Sequence, residues 1–251
     1  MSDQYNESIL DTITKIYSPL LKFLSVLGLV AVVFVGINLF SDVSGFDEGY
    51  EFDPFIVREY NMSTGPEDAE VVLIHIYDLQ CPVCAGYDPV MNTLKDEYSD
   101  RVRFVYKQQP IQDIHPQAPQ AARAVQAVAL QDNDIAFEYS SWVLSQQDAG
   151  GLGLDNLRTG AQQFDIDIDQ WQEDRSSFEV RRMIDWDLRD LRNSQFPESA
   201  NGRGGKNVGE LAGTPANAIF VNEEVDVFLA GSEPLESMRQ YLDAALAKAE
   251  Q

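Results

Sequence analysis

Runs and repeats of apolar residues divide most of the chain into strands and helices. The run from Val71 to Tyr77 is almost entirely apolar, which is typical of a buried strand. Apolar positions recur at helical spacing from Ala85 to Tyr98, and residues 102–106 alternate like a strand. These three segments predict a β-α-β unit. A further strand is predicted at residues 55–57, before a turn at residues 65–68.

The second half of the chain begins with helical patterns and ends with a short β-hairpin. Residues 116–132 are rich in Ala and Gln, with apolar positions at helical spacing. A loop is predicted at residues 201–209, and a turn at residues 222–224 separates two short strands. The remaining predicted elements are helices at 137–144, 154–164 and 169–193, strands at 218–221 and 225–229, and a final helix at 235–246.

The N-terminal segment carries the longest apolar stretch. Residues 23–40 are 18 residues without a charge, just long enough for a transmembrane helix. Lys15 and Lys22 precede this stretch and five acidic residues follow it by residue 53, so the positive-inside rule places the N-terminus in the cytoplasm. We therefore predict a lead-in and single-pass cytoplasmic-membrane anchor in residues 1–44, and an extracytoplasmic domain in residues 45–251. A cleaved signal peptide is the alternative, although its apolar region is usually shorter, about 7–15 residues. Either one exports the rest of the chain to an oxidising compartment.

Cys81 and Cys84 lie where the predicted strand ends and the predicted helix begins. Pro82 suits the first helical turn, because its missing N–H is no loss there. Free backbone N–H groups and the dipole of a helix N-terminus favour a thiolate, and such sites lower a Cys pKa from near 8.5 to about 3.5–7.5. Only the thiolate attacks a disulfide. We predict Cys81 as an exposed nucleophile and Cys84 as a shielded, resolving thiol.

Metal binding and a purely structural disulfide explain this pair less well. Structural zinc sites normally use four ligands, whereas the chain has two Cys and two His in total. A disulfide that closes so small a loop restrains little unfolded-chain entropy. The acidic run at residues 165–169 lacks the Gly and Glu of a calcium loop, since Gln170 and Ser176 occupy those positions. We expect that run to cap the next helix, and we predict no metal and no cofactor.

The charge balance excludes some partners. The chain has 18 Lys and Arg against 41 Asp and Glu, for a net charge of −23. Such acidity argues against nucleic acid and against an anionic membrane surface as partners.

Two segments together resemble the DsbA-like thiol-disulfide oxidoreductases. The sequence of residues 77–84, Tyr-Asp-Leu-Gln-Cys-Pro-Val-Cys, is similar to the family's active-site segment. Far downstream, Gly-Thr-Pro at residues 213–215, followed by Ala-Ile-Phe-Val-Asn at 218–222, resembles the segment that carries the family's cis-proline. The resemblance covers residues 53–248. It implies an α/β thioredoxin-like fold with a helical insertion at about 112–200, and a cis Pro215 that faces the cysteines and leaves nearby backbone free to pair with an extended substrate.

The resemblance also suggests which residues adjust the redox site. Many of these oxidases have His where this chain has Val83, which offers the Cys81 thiolate neither a hydrogen bond nor a charge and so argues against strong oxidising power. Thr214 resembles family variants whose hydroxyl can reach the active-site sulfur, although a plain turn residue is the alternative. The family often has a buried Glu at the position of His75, where it is thought to relay protons to the inner cysteine. His75 could do the same, or it could be a core histidine with one ring nitrogen bound to backbone.

The resemblance and the predicted anchor together favour a membrane-tethered enzyme that exchanges disulfides with exported proteins. Oxidation is the expected direction, which implies re-oxidation by a quinone-linked membrane partner of the DsbB or vitamin-K-epoxide-reductase type. A reductase or isomerase for a dedicated client is an alternative within the same chemistry. The alternative from another class is a non-catalytic thioredoxin-fold subunit that binds or assembles a membrane complex.

Overall fold

Five strands form one mixed sheet in this computed structural model, which describes residues 55–147, 151–193, 198–202 and 213–251. The spatial order is β1-β3-β2-β4-β5. β2 pairs in parallel with β3, and the other neighbouring pairs are antiparallel. The strands are β1 (Met62–Thr64), β2 (Val71–Tyr77), β3 (Val102–Gln108), β4 (Ala216–Val221) and β5 (Glu224–Ala230).

Helix α1 (Pro82–Tyr98) joins the parallel strands β2 and β3, as the predicted β-α-β unit requires. Its buried side chains recur every three or four residues and face the core. Among the described residues between β3 and β4 there are five helices, inside the range predicted for the insertion, and α7 (Leu235–Ala249) follows β5. The five are α2 (Ala118–Ala129), α3 (Asn133–Ser145), α4 (Leu154–Ala161), α5 (Ile168–Ser176) and α6 (Phe178–Asn193).

Core residues cover both faces of the sheet, which explains the continuous apolar run of β2. Leu73 and Tyr77 belong to the larger cluster, together with side chains from α1, α7 and the insertion. Ile74 and Ile76 point to the opposite face and join a smaller cluster that includes Leu191 of α6. Because successive strand residues point to opposite faces, a strand covered on both sides is apolar throughout.

Two predicted boundaries were wrong. Residues 55–57 do not form a strand. Phe55 and Val57 are partly buried and pack on the smaller core cluster, and the first strand, β1, lies further along the chain. The single helix predicted over residues 169–193 is two helices, α5 and α6. Ser177 between them has extended backbone, and its hydroxyl accepts a hydrogen bond from the Val180 N–H at 3.0 Å. A serine in that role starts a new helix rather than continuing the old one.

Two local predictions were confirmed. Asp167 caps α5, accepting hydrogen bonds from the backbone N–H groups of Asp169 and Gln170 at 3.0 Å each. The hairpin turn between β4 and β5 lies at Asn222 and Glu223, both with left-handed φ. Such φ values suit a two-residue hairpin turn.

The membrane anchor remains a prediction. Across the residues that the structure describes, every helix is too short or too polar to span a bilayer. The predicted span at residues 23–40 and most of the predicted loop at residues 201–209 lie outside the described ranges.

Candidate active site

The two cysteines occupy the junction of β2 and α1, as predicted. Cys81 is the N-cap of α1, with extended backbone at φ −74° and ψ 120°, and Pro82 follows at the start of the helix. The α1 N-terminus has no side-chain cap and no acidic residue in its first turn. Backbone N–H groups there are therefore available to the Cys81 sulfur.

The strand from the far end of the chain completes the site. The Thr214–Pro215 peptide bond is cis, and it lies just before β4, which pairs with β2. The Cys81 Sγ lies 3.4 Å from the Thr214 carbonyl oxygen, to which its thiol donates. The structure thus brings together the two segments on which the family resemblance depends.

The two thiols differ in acidity. A hydrogen bond from the Cys84 thiol, aided by the Thr214 hydroxyl and by the backbone N–H groups of Cys84 and Val83, lowers the pKa of Cys81 to about 5 against the opposing effect of burial. Burial raises the pKa of Cys84 well above its ordinary value. Near neutral pH the reduced pair therefore holds one thiolate, on Cys81.

The expected exposure of Cys81 was wrong. Only 6% of its surface is accessible, against 1% for Cys84. The Thr214 backbone covers the sulfur on one side. Exposure is found instead at Pro82 and at Val83, which is 49% exposed and presents an apolar side chain next to the sulfur-bearing residues. Little of Cys81 is therefore open to solvent in this structure.

Thr214 contacts the site mainly through its backbone. Its hydroxyl is buried and makes no hydrogen bond with the described residues, while its carbonyl meets the Cys81 thiol. The hydroxyl still contributes to lowering the pKa of Cys81, behind the Cys84 thiol. A buried hydroxyl without a partner is costly, and a thiolate at Cys81 is the acceptor that would satisfy it.

His75 has the surroundings of a core histidine. Its Nδ1 lies 2.8 Å from the side-chain oxygen of Asn217, and its ring contacts those of Tyr77, Tyr87 and Tyr106. Burial lowers the pKa of His75 to about 4, so the ring is neutral near pH 7. Its hydrogen bond goes to a side chain on β4 rather than to the backbone partner expected of a core histidine.

A family comparison matches residues 58–243 to the family described as thioredoxin. The chain belongs to this thioredoxin family. The match begins before β1 and ends within α7, so it includes the sheet, the cysteine pair and the helical insertion.

Solved structures share this thioredoxin fold with its insertion. The α-DsbA1 protein of Wolbachia pipientis superposes with a TM-score of 0.62 at 16% identity, over 78% of this chain and 95% of that one. A thioredoxin-like oxidoreductase from Silicibacter pomeroyi gives 0.58 at 20% identity, over 78% and 98%. At these identities the likeness establishes the fold.

Curated relatives of the thioredoxin chain are much longer proteins. A Na⁺/H⁺ antiporter, NhaA 3 of Salinispora tropica, is 33% identical over 109 residues. That alignment covers 43% of this chain and 16% of the antiporter.

Three polar residues of the site were not predicted from the sequence. The Asp78 side chain is fully buried and lies 2.8 Å from His115, to which the sequence analysis assigned no role. Gln147, after α3, donates to the carbonyls of Leu79 and Cys81 at 2.9 and 3.1 Å.

The described residues contain no group of three or more His, Cys, Asp or Glu that could hold a metal.

Proposed function

We propose that the protein is a thiol-disulfide oxidoreductase that exchanges disulfides with exported proteins through Cys81 and Cys84. One observation carries the proposal: Cys81 is the N-cap residue of α1, its sulfur lies against the Thr214–Pro215 segment, and Cys84 is buried behind it. This arrangement pairs an acidic thiol with a second thiol that stays protonated until it is needed.

Oxidation of the substrate is the favoured direction. A substrate thiolate attacks the Cys81 sulfur of the Cys81–Cys84 disulfide, and Cys84 leaves with the electron pair and takes a proton. A second substrate thiolate then attacks the substrate sulfur of the mixed disulfide and releases the Cys81 thiolate. Two electrons thus pass from the substrate dithiol to the protein. A low pKa at Cys81 makes it a good leaving group in the second step.

The proposal includes the membrane tether and the means of re-oxidation. The uncharged run at residues 23–40 supports an anchor that holds the domain on the extracytoplasmic side. A reduced pair must return its electrons to an oxidant, and a quinone-linked membrane protein in the same bilayer suits an anchored domain. Fractionation of the full-length chain, with protease protection to locate residues 55–251, tests this part separately.

Trapping tests the exchange reaction. A Cys84→Ser variant should accumulate mixed disulfides with several exported proteins, since no resolving thiol remains to release them. The matched Cys81→Ser variant keeps one cysteine but should trap almost nothing, because Cys84 is buried and weakly acidic. Equal trapping by the two variants, or none by either, would refute the proposed role of Cys81.

A binding subunit is the second candidate, and the 6% exposure of Cys81 favours it. Such a protein would co-purify with one partner through non-covalent contacts and would do so equally well after Cys81→Ser. A dedicated client, as for a specialised reductase or isomerase, would instead give a single trapped species with Cys84→Ser.

A further inference from the structure

Asp78 connects the backbone of the active-site turn to both cysteines. Its backbone N–H points at the Cys84 Sγ, 3.5 Å away, and its carbonyl accepts the Cys81 N–H at 3.1 Å. Asp78 is the residue that follows β2, so it fixes how the chain turns from the sheet into α1. The position of Asp78 therefore determines where the inner sulfur finds its backbone donor.

The buried carboxylate of Asp78 is held by three donors. One oxygen accepts the Gln80 N–H at 2.7 Å, within the turn itself. The other accepts the Ile111 N–H and faces the His115 Nδ1, both at 2.8 Å. A carboxylate removed from water needs such partners, and the loss of one leaves a buried charge only partly compensated.

His115 lies at the edge of the molecule, in the segment between β3 and α2. Its side chain is 15% exposed, whereas that of Asp78 is fully buried. The same segment makes a second contact with the turn, because Gln80 accepts the Gln117 N–H at 2.6 Å. The segment between β3 and α2 is thus hydrogen-bonded to the turn between β2 and α1, on the side of Asp78.

We infer that His115 is a positioning residue for Cys84, acting through Asp78 on the step in which Cys84 resolves a mixed disulfide. This role rests on the proposed exchange function. The His115–Asp78 contact holds the Asp78 N–H toward the inner sulfur, where it stabilises the Cys84 thiolate as it forms. The groups that stabilise the Cys81 thiolate are Cys84, Thr214 and Val83, so His115 should affect the second thiol and spare the first.

Ellman's reagent separates the two steps. The Cys81 thiolate attacks the reagent's disulfide, forms a mixed disulfide and releases one thionitrobenzoate. Cys84 then loses its proton to solvent and attacks the Cys81 sulfur, closing the Cys81–Cys84 disulfide and releasing the second. The two releases have equal absorbance and are read as two phases of one trace.

His115→Leu should slow the second phase about tenfold and leave the first within about twofold, because a lost hydrogen bond to a buried charge changes an equilibrium by about that factor. His115→Asn, whose amide nitrogen can take the place of Nδ1, should restore the second phase to within about threefold of the wild type. Asp113→Ala removes a charge from the same loop without touching Asp78, and should leave both phases unchanged.

Each outcome separates the role of His115 from the exchange function. If the wild type released only one equivalent of thionitrobenzoate, both the exchange function and the role of His115 would be refuted. A biphasic wild type with an unchanged His115→Leu would overturn the role of His115 alone, as would equal slowing of both phases. Circular dichroism checks that each variant is folded, and should His115→Leu fail to fold, His115→Gln, with its donor displaced from the Nδ1 position, provides the same comparison.

Discussion

His75 and Asn217 are hydrogen-bonded across the β2–β4 pair, with Nδ1 of the histidine 2.8 Å from the amide oxygen. The contact lies among tyrosine rings in the core, and the histidine is neutral there because burial lowers its pKa to about 4. An unfolded histidine titrates near 6.5. Between these two values the unfolded chain binds a proton that the folded chain does not.

The wild type should therefore lose stability as pH falls from about 6.5 to about 4, and His75→Gln should lack this part of the loss. The full difference corresponds to roughly 3 kcal/mol, since each pKa unit is about 1.4 kcal/mol. Urea denaturation of both proteins at pH 7.5 and 4.5 gives the loss of unfolding free energy between the two pH values for each protein. The loss in the wild type minus the loss in His75→Gln is the contribution of His75. Parallel pH dependences would show that His75 binds its proton as readily in the folded chain as in the unfolded one.

The same variant tests the predicted proton relay. His75 contacts a β4 side chain rather than a sulfur in the described structure, so the pH profile of Cys84 alkylation should be the same in His75→Gln and the wild type. Cys81→Ser in both backgrounds restricts the alkylation to Cys84. A shifted profile would return His75 to the mechanism.

The position of the cysteine pair at the start of a helix could be predicted from the sequence, but the polar groups that surround the pair could not. The strand, the turn and the helix that hold the cysteines all lie within residues 71–98, so the pattern of this one stretch was enough to predict them. The contact of Asp78 with His115 spans 37 residues, and neither residue stands in a pattern that indicates the other. The parallel pairing of β2 with β3 brings the segments that follow them to the same edge of the sheet, but the sequence does not indicate which residue after β3 turns back to Asp78.

The burial of Cys81 was missed for a related reason. Position at a helix N-terminus predicts free N–H groups, but it does not predict what the rest of the chain places above the sulfur. Here the carbonyl group of Thr214 lies against the sulfur. The family resemblance predicted a cis Pro215 facing the cysteines, yet it gave no measure of how closely the segment approaches the sulfur.

Replacement of Cys84 should change the acidity of Cys81. The Cys84 thiol is the largest contributor to the lowered pKa of Cys81, so Cys84→Ala should raise that pKa from about 5 toward the ordinary value. Cys84→Ser retains an O–H donor and should raise it less. Thiolate absorbance at 240 nm against pH gives both midpoints. If both midpoints coincided with that of the wild type, the Cys84 thiol would not contribute to the acidity of Cys81.

Thr214→Val should raise the pKa of Cys81 without destabilising the protein. The change removes a hydroxyl that assists the thiolate but otherwise has no partner among the described residues, and it keeps the shape of the side chain. We expect a rise of less than about one pKa unit, because the Cys84 and backbone donors remain. The free energy of unfolding of the reduced protein at pH 4, where Cys81 is protonated, should be equal or higher. A clear loss of stability there would indicate a hydrogen bond from the Thr214 hydroxyl to the thiol.

Lys107→Met should destabilise the protein by about 3–5 kcal/mol, the usual cost of breaking a buried ion pair by removing one partner. The Lys107 Nζ lies 3.3 Å from Asp190 and 4.0 Å from Asp187, and all three side chains are at most 1% exposed. Both carboxylates are on α6, so the pair fastens the insertion to β3. Lys248→Met breaks an exposed ion pair with Asp226 and should cost less than about 1 kcal/mol. Similar losses in the two variants would mean that the buried charges are compensated without Lys107.

Two helical glycines should respond to alanine in opposite directions. A Cβ on Gly160 of α4 would lie 2.1 Å from the Trp142 ring of α3, so Gly160→Ala must force the two helices apart and should cost about 1–3 kcal/mol. A Cβ on Gly86 of α1 would meet nothing within 4 Å, and Gly86→Ala should stabilise by about 0.5–1 kcal/mol because alanine has the better helix propensity. Thermal unfolding of both variants should move the midpoint down for the first and up for the second. A Gly160→Ala variant as stable as the wild type would mean that Trp142 can leave its position at little cost, and that the α3–α4 contact does not depend on the missing side chain.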